Sequence, residues 1–143
     1  MDLVIIGWIR SASLFISSTV SGHGVKSALL AVSIIDTLRT CRLADTDWND
    51  PGAVLRALNR VYFSQTHDHL YFTIWYGIVD LTNGRLRYAG GGHPPAVPRA
   101  AGCKNPKLAA TGPLVGCFDH GNYPTLEVPL LSHGIVSLFG WGF

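Results

Sequence analysis

The sequence predicts an α+β domain built on antiparallel sheets, because hairpin-like pairs of strands flank two helical segments that follow each other directly. A parallel, doubly wound sheet would instead alternate strands and helices along the chain. The β-rich runs joined by turn signals are Leu3–Ile9 with Ala12–Ser18, and Phe72–Asp80 with Arg85–Ala89.

The first apolar run is predicted to be a buried strand. Asp2 precedes Leu3–Ile9 and Arg10 follows it, so the run is too short to span a bilayer and lacks the basic start of a secretory signal. Arg10 and Ser11 separate it from Ala12–Ser18, which predicts a hairpin that leads into the next turn.

Two helices are expected next. Val25–Arg39 carries apolar residues at helical spacing, and we expect this face to be core: Val25, Ala28, Leu29, Val32, Ile35 and Leu38. Asp50 before Pro51 is a strong helix start, since the carboxylate caps free N–H groups and proline suits the first helical position. The second helix, Pro51–Phe63, carries its own apolar stripe of Val54, Leu55, Leu58, Val61 and Tyr62.

The second half of the chain is predicted to contain short strands and loops. Asn83 and Gly84 indicate a tight hairpin turn at Leu81–Gly84, because both residue types tolerate the positive φ values that it needs. The segment between Arg99 and Gly112 has no periodicity and is predicted to be a surface loop. Further strands are expected at Ala96–Arg99, Thr125–Val128 and Ile135–Phe139.

Composition favours one globular domain spanning residues 1–143, with 48% hydrophobic and 14% charged residues. The net charge of +2 is spread without runs, which argues against nucleic-acid and membrane partners and favours a protein partner. The cysteines are odd in number and lack C-x-x-C spacing, so neither a disulfide framework nor a zinc site is predicted. A reducing, cytoplasmic location fits this usage.

The most informative segment is Thr19–Gly24, with the sequence Thr-Val-Ser-Gly-His-Gly, immediately before the first helix. Glycines on both sides of His23 fit neither a helix nor a strand and mark a tight strand-to-helix turn. Such a turn lets a ligand or a metal ion approach the backbone at the rim of a sheet. This segment alone is equally compatible with an ordinary β-to-α connection.

Further segments extend the pattern in order and spacing: Val20–Gly24 with Ala28–Leu30, Tyr71–Gly77, Tyr88–Ala96 and Gly112–Gly116. From Asp2 to Phe143 the chain resembles the SpoIIE/RsbU branch of the metal-dependent (PPM-type) protein serine/threonine phosphatases. The resemblance implies two antiparallel β-sheets packed face to face with flanking helices. We expect the chain to lack the carboxyl-terminal strands of its relatives.

The resemblance also implies a metal site. Hydrolysis of a phosphoester by two metal ions depends on carboxylate and carbonyl oxygens that hold Mg²⁺ or Mn²⁺ around a bridging water. Relatives of this type supply four aspartates and one backbone carbonyl. Asp2 stands at about the position of the first aspartate, and Val20 is placed to offer the carbonyl.

The other three aspartates are missing. Thr19 stands where the turn aspartate is expected, and its neutral hydroxyl cannot replace a carboxylate that bridges two dications. Trp141 stands where a Thr-Asp-Gly aspartate is expected, and the chain ends at Phe143, before the fourth. We therefore predict weak or absent binding of Mn²⁺ or Mg²⁺, and we assign no catalytic residue.

Other polar side chains receive structural interpretations. The resemblance implies that Ser21, Gly22, His23, Gly24 and His93 brace the site rather than ligate a metal. Asp36 and Asp119 are interpreted as solvated or turn-capping residues. The trio of His67, Asp68 and His69 has the residue types of a metal site, but a solvated turn is the favoured interpretation.

Two functions remain open at this point. One is a phosphatase that acts on a regulatory phosphoprotein, such as an anti-sigma-factor antagonist, and is impaired in this chain. The other is a pseudophosphatase that keeps the fold as a protein-binding module; a truncated or altered version of an active domain is a further alternative. We also expect a homo-oligomer, because the apolar end Ile135–Phe143 would leave a sheet edge uncovered.

Overall fold

The computed structural model describes residues 2–9, 12–22, 24–65, 70–99, 107–129 and 135–137. Within these ranges the helices are α1 (Val25–Arg39) and α2 (Pro51–Gln65). The strands are β1 (Asp2–Ile9), β2 (Ala12–Val20), β3 (Phe72–Asp80), β4 (Arg85–Gly91), β5 (Val97–Arg99), β6 (Leu126–Pro129) and β7 (Ile135–Ser137). Neither helix is long and apolar enough to cross a membrane.

The main sheet has the strand order β1-β2-β3-β4-β6, and each neighbouring pair is antiparallel. Strands β5 and β7 form a second antiparallel pair. Both predicted hairpins are present, because β1 pairs with β2 and β3 pairs with β4. The predicted α+β class with antiparallel sheets and flanking helices is confirmed.

Strand β3 is buried on both faces, which explains why its sequence is apolar without alternation. Phe72, Ile74, Tyr76 and Ile78 belong to the cluster that α1 and α2 cover. The alternate positions on the opposite face belong to a second cluster with β4, and that cluster consists of Trp75, Val79, Leu86, Tyr88, Ala96 and Leu108. The main sheet is therefore the middle layer of the domain.

Helix α1 has the predicted ends but buries the opposite face. Val25, Leu29 and Val32 are 75%, 63% and 61% exposed. The buried side chains are Ser27, Leu30, Ala31, Ile34 and Leu38, while Ala28 and Ile35 are half-buried. Leu38 is thus the one fully buried member of the predicted face. The prediction was wrong because this helix is apolar on two sides, and the 3.6-residue period alone does not distinguish them.

Contacts with other elements determine how α1 is rotated. The hydroxyls of Ser33 and Thr37 each lie 3.1 Å from the phenol oxygen of Tyr62, which is a buried residue of α2. At the other end of α1, Ser27 Oγ donates a hydrogen bond of 2.8 Å to the carbonyl of Ser21. These polar contacts fix the rotation of α1 relative to α2 and to the turn at Ser21.

Helix α2 follows the prediction closely. Asp50 Oδ1 accepts a 3.1 Å hydrogen bond from Gly52 N, as expected of a residue that caps the helix. Thr125 Oγ1 accepts from the same N–H at 2.8 Å, so the segment before β6 is attached to the start of α2. Val54, Leu55, Leu58 and Tyr62 are buried, and Val61 packs partly buried against the core.

The hairpin turn between β3 and β4 differs from the prediction in its conformation. Gly84 has a φ of 62°, but Asn83 is not among the described residues with positive φ. Asn83 instead donates its N–H and its side-chain amide to the carboxylate of Asp80, at 3.2 and 2.6 Å. Four residues connect Asp80 to Arg85, which is a longer loop than the two-residue turn that an Asn-Gly pair favours.

Candidate functional site

Backbone register brings three residues of the predicted metal site, Asp2, Thr19 and Val20, to one end of the main sheet. Asp2 pairs with Thr19 across β1 and β2, and Thr19 pairs with Thr73 across β2 and β3. Val20, which is 4% exposed, pairs with Phe72 in the next register position. Residues far apart in sequence thus converge on the rim where β2 ends and the turn begins.

Ser21 fastens that turn to both neighbouring elements. Its N–H donates to the carbonyl of Tyr71 at 2.9 Å, and its Oγ accepts from Tyr71 N at 3.1 Å. Its own carbonyl accepts the hydrogen bond from Ser27 of α1. The turn is therefore held to the start of β3 and to the first turn of α1 at the same time.

Gly22 and Gly24 have φ values of 78° and 90°, which lie in the region that disfavours side chains. A Cβ at Gly22 would also lie 3.0 Å from Ser27 Oγ, so this position has a second reason to be glycine. Gly24 caps α1 through its carbonyl, which accepts from Ala28 N at 3.2 Å, and no side chain caps the helix. His23 lies outside the described residues.

His93 is 2% exposed and lies at the same end of the sheet, because it follows Gly92, which bridges to Ile74 of β3. Its Nδ1 lies 2.7 Å from the carbonyl oxygen of Pro94. A carbonyl oxygen only accepts, so Nδ1 carries the proton in this contact. The contact holds the ring to its own backbone beside the candidate site.

Among the described residues, the rim holds one aspartate, Asp2, where a two-metal site needs several acidic ligands. In the described part of the chain, no group of three or more His, Cys, Asp or Glu side chains could hold a metal ion. Asp36 is exposed and pairs with Arg42 at 3.5 Å, and Asp119 is exposed beside His120. Trp141 and the trio of residues 67–69 lie outside the described residues.

Asn59 of α2 is a buried polar residue that the sequence analysis missed. Its Nδ2 donates to the carbonyl of Phe118 at 2.8 Å, and its Oδ1 accepts from Gly116 N at 2.8 Å and from the Tyr123 hydroxyl at 3.3 Å. Burial raises the pKa of Tyr123 to about 12, so this hydroxyl remains a donor at neutral pH. The sequence offered one signal of a buried polar residue here, which was a single Asn beside Leu58 in an otherwise apolar stripe.

The Asn59 network positions the Gly112–Gly116 segment near the candidate site. Val115 exchanges backbone hydrogen bonds of 2.9 and 3.0 Å with Phe72, the first residue of β3. A Cβ at Gly116 would lie 3.3 Å from the carbonyl of Leu70. The segment therefore lies beside Tyr71 and, through it, beside the Ser21 turn.

Comparison with known proteins identifies the family. The family model for stage II sporulation protein E (SpoIIE) matches residues 12–140. The phosphoserine phosphatase RsbP of Bacillus subtilis (strain 168) is 26% identical over 124 residues, which are 84% of this chain and 30% of RsbP.

Solved structures share the fold. The PP2C phosphatase domain of SpoIIE from Bacillus subtilis gives a TM-score of 0.78 at 16% identity, covering 99% of this chain and 41% of that one. RsbX in complex with magnesium gives 0.67 at 10% identity, covering 93% and 62%. This chain thus spans less than half of RsbP and of the SpoIIE chain.

Proposed function

Since the chain belongs to the SpoIIE family of PPM-type phosphatase domains, we propose that it recognises a regulatory phosphoprotein and hydrolyses the phosphoester poorly or not at all. The second candidate is a module without any catalysis, which binds its protein partner in the same way. An anti-sigma-factor antagonist is the partner class that we propose from the family resemblance, and the cytoplasm is the proposed location.

The pairing of Asp2 with Thr19 supports the impaired reaction most directly. A two-metal phosphatase needs acidic oxygens from several strands at this rim, because each hard dication binds several oxygen ligands. Here a threonine stands directly opposite the aspartate, and the next residue in register is Thr73. One carboxylate does not balance the charge of two dications, so we derive no metal-dependent step for this chain.

The intact surroundings of the rim support a retained binding role. Ser21 keeps three hydrogen bonds to Tyr71 and Ser27, and Asn59 fixes the neighbouring Gly112–Gly116 segment. A surface that is held in place before binding loses little conformational entropy when a partner docks. We therefore propose that the chain still recognises its partner, because the scaffold is held in place. Hydrolysis is impaired, because the acidic metal ligands that it needs are missing.

Dephosphorylation of a phosphoserine-bearing anti-sigma-factor antagonist tests this proposal, with Mn²⁺ present and absent. We expect turnover near background in both conditions, and Asp2→Asn should not change it. Mn²⁺-dependent turnover that Asp2→Asn abolishes would show that other residues complete the site. Binding of the same phosphoprotein, measured without metal, separates the two candidates from a chain that does not recognise this partner.

A variant with Thr19→Asp and Trp141→Asp, extended by a relative's carboxyl-terminal segment, provides the positive control. It should gain Mn²⁺-dependent hydrolysis, whereas either substitution alone should do little, because metal ligands act as a unit. Equal activity in the single and double variants would contradict the proposed cause of the impairment.

A further inference from the structure

Three partly exposed aromatic side chains lie around Gly116, on the surface beside the candidate site. Phe63, Tyr71 and Phe118 are 39%, 40% and 54% exposed. They come from three different parts of the chain, which are the end of α2, the residue before β3 and the segment after Gly116. We call these three side chains the aromatic patch.

Contacts of Gly116 and Asn59 bring the members of the aromatic patch together. A Cβ at Gly116 would lie 3.9 Å from the Cα of Tyr71. Asn59 accepts a hydrogen bond from Gly116 N and donates one to the carbonyl of Phe118, each at 2.8 Å. Phe63 follows Asn59 by one turn of α2 and therefore lies on the same side of the helix.

Exposed aromatic rings from three segments are typical of a docking surface. Isolated apolar side chains are common on surfaces, but neighbouring ones mark an interaction site more often. Aromatic residues also carry much of the binding energy of protein interfaces, because each ring buries a large apolar area. Hydrogen bonds hold the backbone under the aromatic patch before a partner arrives, which keeps the entropy cost of docking low.

The aromatic patch is continuous with the rim of the candidate site. Tyr71 belongs to the patch and also holds the Ser21 turn through hydrogen bonds of 2.9 and 3.1 Å. Tyr71 lies two residues before Thr73, which pairs with Thr19 at the rim, so the two places are about 7 Å apart along the strand. An extended protein segment that reaches the rim covers this distance with about two residues.

Charges at the margin of the aromatic patch favour an apolar occupant. Arg60 precedes Phe63 by one turn of α2 and is exposed. Asp119 follows Phe118, is also exposed, and lies 3.5 Å from His120. Since the arginine and the aspartate have opposite signs, the margin selects neither an acidic nor a basic segment.

From the position and chemistry of the aromatic patch we infer that it binds an apolar side chain of the regulatory phosphoprotein, about two to four residues from the phosphorylated one. The inference rests on the proposed function for the identity of the partner, but it does not depend on metal binding or hydrolysis. It also differs from the predicted oligomer contact at Ile135–Phe143, most of which lies outside the described residues.

Binding of the phosphoserine-bearing anti-sigma-factor antagonist to the full chain, measured without metal, tests the inference. Phe118→Gln should weaken binding at least about tenfold without lowering the melting temperature, because the ring is exposed and the Phe118 carbonyl keeps its bond to Asn59. Tyr71→Gln should weaken binding as well. Leu81→Gln is the matched control and should bind like the wild-type chain, because Leu81 is 67% exposed in the β3–β4 turn, remote from the rim.

The outcomes of this measurement separate the inference from the proposed function. Binding by the wild-type chain that Phe118→Gln does not weaken, or that Leu81→Gln weakens equally, would overturn the inference and leave the proposed function intact. No binding by the wild-type chain would overturn both.

Photo-cross-linking identifies what covers the aromatic patch. Phe118→benzoylphenylalanine should cross-link to the phosphoprotein on irradiation, at a residue within about four positions of the phosphoserine. Leu81→benzoylphenylalanine should not cross-link to it. A cross-link from position 118 to a second copy of this chain, or only to a distant part of the phosphoprotein, would overturn the inference.

Discussion

The Ser21 turn and the Asp2–Thr19 rim are neighbours on the main sheet, but they differ in what they retain. The turn has Gly22 and Gly24 in positive φ and three hydrogen bonds that attach it to Tyr71, the residue before β3, and to α1. The rim has one aspartate opposite a threonine. The comparison teaches that local backbone structure and metal chemistry depend on different residues, so a chain can keep the first without the second.

The turn and the rim also differ in how they contribute to the stability of the fold. The turn is supported by the core, because Val20 and Phe72 are both buried and belong to one cluster with α1 and α2. Metal ligands contribute to folding mainly when the metal is bound, since unscreened carboxylates repel each other without it. Losing acidic ligands therefore need not destabilise the scaffold. The following predictions test whether the two regions are separable in this way.

The largest expected effect is on stability, from a change in the shared core. Leu58 is fully buried in α2, so Leu58→Ala should lower the free energy of unfolding by about 2–5 kcal/mol, through lost burial and a residual cavity. Urea denaturation measures this loss. Leu81→Ala, at an exposed position, is the control and should change stability by less than about 0.5 kcal/mol.

A smaller loss is expected from Asn59→Ala, which removes the anchor of the Gly112–Gly116 segment. Gly116 N would lose its acceptor and the Phe118 carbonyl its donor, at a cost of about 1–3 kcal/mol for polar groups left unsatisfied. Thermal unfolding measures the change against Asn122→Ala, which alters an exposed residue between Gly116 and β6. Equal melting temperatures for the two variants would show that Asn59 does not anchor the Gly112–Gly116 segment.

Ser27→Ala should have a still smaller effect, because it removes one side-chain hydrogen bond that attaches the turn to α1. We expect a loss of about 1 kcal/mol in the free energy of unfolding. If turn and metal chemistry are separable, Mn²⁺ binding should not change. A change in metal binding without a loss of stability would show that the turn and the rim are coupled.

The smallest effect is expected from a change in pH, which acts on Asp80 at the end of β3 remote from the rim. Hydrogen bonds from Asn83 hold the pKa of the Asp80 carboxyl below its usual value, with smaller help from Thr82 and Arg87. The resulting stabilisation is present above that usual value of 3.8 and is lost as the pH falls through the lower pKa of the folded state. NMR titration should show that Asn83→Ala raises this pKa, and an unchanged pKa would contradict the assigned cause.

Much of the scaffold could be predicted from the sequence, because hairpin runs and helix caps are local signals. The ends of α1 and β3, and the Asp50 cap, were predicted correctly for this reason. The buried face of α1 was not, because the contacts of Ser27, Ser33 and Thr37 that orient the helix involve residues distant in sequence or in the turn.

Only the motif residues of the candidate site could be predicted from the sequence. The resemblance located Asp2, Thr19 and Val20, and the register then brought them to one rim. Asn59 could not be assigned from sequence, because its partners Gly116, Phe118 and Tyr123 are more than 50 residues away. The bracing role of His23 and the position of Trp141 remain predictions.

Isothermal titration calorimetry with Mn²⁺ tests the central claim most directly, because it measures the metal site without a substrate. We predict a dissociation constant in the millimolar range or no detectable heat, and no difference between the wild-type chain and Asp2→Asn. Each thousandfold weakening relative to an intact site corresponds to about 4 kcal/mol of lost binding free energy. Two Mn²⁺ ions bound with micromolar affinity, and lost in Asp2→Asn, would contradict the account.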